Sequence, residues 1–80
     1  MEEITALAQI EAPYAKHISL HKVEYDNGFS LIRMRIKEGK RFTDMDLDMQ
    51  TVTALHAVFS RWIEAESRLY VLPDSQDNST

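Results

Sequence analysis

From residue 17 onward the chain sorts its side chains by a strict rule. In "SLIRMRIK", 30 to 37, Ile32, Met34 and Ile36 alternate with Arg33, Arg35 and Lys37. That is the period of a strand with one face turned inward. After Asp48 the period changes. Val52, Leu55, Phe59, Trp62 and Ile63 recur at spacings of three and four, with Ala54, Val58 and Ala65 widening the stripe. This predicts one long amphipathic helix over 49–67, with Asp48 as its N-cap. Residues 2–12 place Ile4, Leu7, Ala8 and Glu11 at helical spacing before Pro13 stops it, so a short helix or ordered arm is expected there.

The turns set the registers. Asn27-Gly28 is a strong two-residue hairpin signal, because a type I′ turn needs positive φ at both central residues. With that loop Val23 faces Ile32, His21 faces Met34 and Ser19 faces Ile36. The core face is then Val23, Ile32, Met34 and Ile36, and the opposite face sets Ile18, Leu20, Lys22 and Glu24 against Leu31, Arg33, Arg35 and Lys37. A second loop at Glu38-Gly39 pairs Met34 with Thr43, Ile32 with Met45 and Ser30 with Leu47, leaving Arg33 opposite Asp44. A three-residue loop with a glycine bulge would bring Phe42 inside but carry Asp44 and Asp46 with it. The first register is preferred, with a bulge near Phe42.

The expected fold is therefore α+β: a three- to four-stranded antiparallel meander covered by one long C-terminal helix. Residues 1–72 form a single small domain. Pro73 and "DSQDNST" after it read as a disordered tail.

Eighty residues without a cysteine make a thin core with no covalent staple, and self-association is the usual remedy. A homodimer seamed by Phe59, Trp62 and Ile63 is expected, since three strands and a helix cover these poorly. The start of the chain is acidic and its apolar run ends at Glu11, unlike a signal peptide. The longest uncharged run, 49–60, is too short for a bilayer. A cytoplasmic protein is expected.

Charge divides the chain. Residues 33–41 hold Arg33, Arg35, Lys37, Lys40 and Arg41 against Glu38 alone, in a chain whose net charge is -4. Basic groups beside an aromatic on a curved sheet can hold single-stranded nucleic acid, but Asp44, Asp46 and Glu24 on the same face repel phosphate. Other chemistry falls away. "DMDLD" has the opening spacing of a calcium loop, yet Met49 and Leu55 stand where the loop needs Gly and Glu. His17 and His21 lie ~13 Å apart along a strand, too far for one ion. His56 with Ser60 has no orienting acid, and two glycines cannot build a phosphate cradle. No metal, cofactor or catalytic residue is expected.

"MEEITALAQIEAPYAKHISL" followed by "IKEGKRFTDMDLD" resembles a family of short uncharacterised proteobacterial proteins, classed as a domain of unknown function. That resemblance implies a bacterial cytoplasmic protein and assigns no activity. In layout alone the chain is similar to the single-stranded-DNA-binding domain of PC4-like transcriptional coactivators, a curved sheet followed by one helix through which two copies pair. The negative net charge and "DMDLD" depart from that pattern.

The reading that results is a small non-enzymatic module that binds an unidentified protein through Ile18, Leu20, Leu31 and Phe42. The alternative is a PC4-like dimer binding single-stranded nucleic acid through Arg33, Arg35, Lys37, Lys40 and Arg41. Neither involves a membrane.

Overall fold

In the computed structural model, which describes residues 2–69, a four-stranded antiparallel sheet precedes one helix. The strands β1 (Glu3–Ala12), β2 (Lys16–Glu24), β3 (Ser30–Glu38) and β4 (Arg41–Leu47) lie in chain order, and α1 spans Met49–Leu69. The α+β meander expected from the alternation is present. Residues 73–80, expected to be disordered, lie outside the described residues.

The N-terminal segment is a strand, not a helix or arm. Its helical spacing is overridden by pairing along the full length of β2, and a bulge between Ala6 and Ala8 disguises the alternation. Because the bulge adds one residue, Ile4 and Ile10 fall on opposite faces of the sheet. The link to β2 is Pro13–Ala15, where Tyr14 and Ala15 both adopt positive φ, 65° and 60°. Neither side chain favours that region, and the loop holds it because Ala12 and Lys16 are locked together in the ladder.

The β2–β3 turn corrects the expected register. Gly28 alone takes the left-handed conformation (φ 86°); Asn27 does not. The Gly28 N–H donates to the Tyr25 carbonyl (2.9 Å) and the Tyr25 N–H to the Phe29 carbonyl (2.8 Å), closing a three-residue loop of the glycine-bulge kind. The Asn27 side-chain oxygen accepts from the Phe29 N–H at 2.9 Å, an interaction that suits Asn at ordinary φ. Val23 consequently pairs with Leu31, not Ile32. A one-residue slip turns every β2 side chain over. Ile18 and Leu20 therefore join Ile32, Met34 and Ile36 on the helix side, while Val23 moves to the outer side between Ile4 and Leu31.

The β3–β4 turn also lies one residue further on, at Gly39-Lys40, with Gly39 at φ 62° and Lys40 at ordinary φ. Moving a loop by one residue moves the pairing by two, so the faces are kept. Met34 now meets Met45, Ile32 meets Leu47, Arg33 meets Asp46 and Arg35 meets Asp44.

Asp48 caps α1 as expected: its side chain accepts the Thr51 N–H at 2.8 Å and its carbonyl accepts the Val52 N–H at 2.9 Å. Thr53 donates back to the Met49 carbonyl at 2.8 Å, which ties down a first turn poor in helix formers. The helix meets the sheet through Val52 and Leu55, and its later turns leave the sheet behind. Among the described residues only Val23 and Leu47 are buried apolar side chains, and they lie on opposite faces.

Candidate functional site

The registers divide the candidate residues between two unlike surfaces. On the outer face, Arg33 and Arg35 from β3 stand directly across from Asp46 and Asp44 of β4. Each pair closes as a fork. Arg33 donates from Nε and its terminal nitrogen to the two Asp46 oxygens at 2.8 and 3.1 Å, and Arg35 does the same to Asp44 at 2.8 and 2.9 Å. Hydrogen bonds from the arginines hold both carboxyls below the usual carboxylate range, and the same bonds raise both guanidinium values further. Two of the five basic candidates are thus neutralised from within.

Beyond these forks, Phe42 lies 56% exposed, with the Arg35 guanidinium 5.2 Å and the Lys37 ammonium 5.9 Å from its ring centre. A shallow depression of about 280 Å³ beside it is lined partly by Gln9, Glu11, His17, Ser19 and Lys37. His17 and Glu11 make a cross-strand contact of 2.9 Å in it. The five basic candidates do not share this face. Lys40 sits in the turn, and Arg41 alternates to the helix side with Thr43 and Met45.

The four residues expected to form one partner face are likewise split. Leu31 and Phe42 are on the outer side, Ile18 and Leu20 on the helix side, because the glycine-bulge loop turned β2 over.

The helix face is apolar and open. Across the strands run Ala8, Leu20, Met34 and Met45, with Ile10, Ile18 and Ile36 in the neighbouring row. Two cavities lie between this face and α1. One of about 190 Å³ is reached by Leu7, Ile32, Leu47, Met49 and Val52; the other, about 200 Å³, is bounded by Leu20, Met34, Leu55, His56 and Phe59. Phe59, Trp62 and Ile63 continue the helical stripe with 56%, 63% and 56% of their surface exposed. Sequence reasoning grouped these three on one stripe but missed the contribution of β1, whose Leu7 and Ile10 are about half exposed. Only the bulge made that strand hard to read.

His17, His21 and His56 stay apart, and among the described residues no group of three or more His, Asp or Glu side chains is placed to hold a metal. No described helix is long and apolar enough to cross a membrane.

These features define a small α+β protein whose candidate site is a pair of surfaces. The family model for a family of unknown function, DUF6967, matches residues 1–65, and the chain belongs to that family. The match takes in all four strands and most of α1. No curated protein and no solved structure matches the chain.

Proposed function

We propose that this protein is a non-enzymatic interaction module that works as a homodimer and presents its outer face to a protein partner. One observation carries the reading: the outer face pairs both its arginines with its own aspartates, while Phe59, Trp62, Ile63 and Met45 leave an apolar surface open to water. Contiguous apolar surface of that kind marks a contact site. Phe42, between Arg35 and Lys37, is the aromatic anchor that a protein partner would use.

The nucleic-acid alternative keeps Lys37, Lys40 and Arg41, which stand outside the ion pairs of the described residues. It loses support because phosphate must displace Asp44 and Asp46 to reach Arg35 and Arg33.

Sedimentation of the full chain across the micromolar range tests the first reading, and oligonucleotide anisotropy at low and physiological salt tests the second. A reversible dimer without oligonucleotide binding is expected. Salt-sensitive binding that is lost in both Arg35→Glu and Lys37→Glu would replace the protein-binding reading with the nucleic-acid one.

A further inference from the structure

The two cavities beneath α1 are parts of one wedge, since Ile32, Leu47 and Val52 line both. Each is larger than the ~150 Å³ that admits a benzene ring in a protein interior. At 100° per residue, Val52, Leu55, Phe59, Trp62, Ile63 and Glu66 fall within one arc of about 100° on α1. The first two already face the sheet; the rest continue that arc past its cover.

We infer that the wedge is filled by α1 of a second copy, running antiparallel to the first and inserting Trp62 and Ile63, with Phe59 of each chain meeting at a two-fold axis. This rests on the homodimer proposed above and specifies how it is built.

Three observations select that occupant. First, the chain exposes both halves of the contact: an apolar stripe with nothing beneath it and an apolar wedge with nothing in it. A two-fold axis satisfies both at once, because what one copy offers the other lacks. Second, the area suits a dimer. Aromatic side chains present ~150–250 Å² each, so the exposed parts of Phe59 and Trp62, with Ile63, Met45 and Met49, approach the order of ~800 Å² per partner of a stable interface.

Third, the charges agree. Glu66 is the only charged residue on the stripe, and Lys22, 3.6 Å from Glu24, is the only lysine or arginine lining the wedge; the one carboxylate there, Asp48, is engaged as the helix cap. In the antiparallel arrangement the partner's Trp62 and Ile63 reach the cavity bounded by Leu55 and Phe59. Glu66 of that helix, one turn later, then falls beside Val52, in the cavity that Lys22 lines. A seam made by the helices alone would leave the wedge empty and Glu66 facing no cation, with Lys22 held only by its 3.6 Å contact to Glu24.

Charge reversal tests this arrangement. Lys22→Glu and Glu66→Lys should each weaken dimerisation at least threefold, and the double variant should return it toward the parent value, which a general loss of stability would not do. The natural chain has no cysteine. Mixing a Leu20→Cys chain with an Ile63→Cys chain should therefore give a disulfide-linked heterodimer under mild oxidation. If the parent protein stays monomeric at all concentrations, the homodimer itself fails. If it dimerises with no charge rescue and no mixed disulfide, while Ile63→Cys links only to itself, the seam is helix on helix and the wedge assignment is overturned.

Discussion

The two faces of this sheet use the same alternation to opposite ends. On the outer face, each arginine of β3 finds an aspartate directly across the ladder, so both guanidinium groups are paired within one chain. On the helix face the apolar residues are in equally regular rows, yet Met45, Phe59, Trp62 and Ile63 remain more than half exposed. Polar groups can be satisfied by one neighbour at hydrogen-bond distance. Apolar groups gain only from area removed from water, and a single helix touching the sheet through Val52 and Leu55 removes too little. The difference teaches that one face pairs its arginines within the chain while the other leaves apolar area that a single helix does not cover.

The comparison is most sharply broken by charging the open face. Phe59→Asp should weaken self-association by at least a hundredfold, because it puts a carboxylate at the centre of the apolar contact; sedimentation over a concentration series measures it. The single Trp62 reports the same event, with emission shifting to the red as the indole returns to water. Leu47→Ala should lower stability by about 2–5 kcal/mol in denaturant unfolding, since Leu47 is 5% exposed and its loss enlarges both cavities of the wedge. A much smaller effect would mean that the wedge collapses rather than receives a partner.

A further change leaves both faces untouched. Ala15→Gly should raise stability by about 0.5–1 kcal/mol, because relief of the left-handed conformation at φ 60° outweighs the added freedom of the unfolded chain. The smallest effect belongs to the paired charges of the outer face. Asp44 and Asp46 have folded values depressed below the ordinary 3.8, so their contribution is present above that pH and is lost as pH falls through it into the depressed range. The Asp44→Asn, Asp46→Asn double variant should show a shallower loss of stability between pH 5 and 2 than the parent. An equally steep loss would place the acid sensitivity elsewhere.

Much of the layout was legible from local pattern. The strand period at 30–37, the cap at Asp48 and the stripe from Val52 to Ile63 are each written in neighbouring residues, and each appears where expected. The candidate site was less legible. Arg33 and Arg35 were placed correctly on one face, but the apolar partner face was assembled from a register that did not hold, and the basic cluster ran through a turn whose alternation puts Arg41 on the other side. The error at Asn27-Gly28 came from treating both residues as left-handed when Gly28 alone is. One residue of loop separated a mixed face from two segregated ones. β1 was hidden for a related reason, because its bulge at Leu7 erases the alternation that marks a strand.

By itself the sequence determined which segments are extended and which is helical in the C-terminal two-thirds, since period, capping and glycine placement act over a few residues. Only the tertiary structure decided which side chains share a face, whom each arginine meets and how much of α1 is covered. Those depend on pairing between strands and on the angle at which the helix leaves β4, where a shift of one residue turns a face over without changing any local preference.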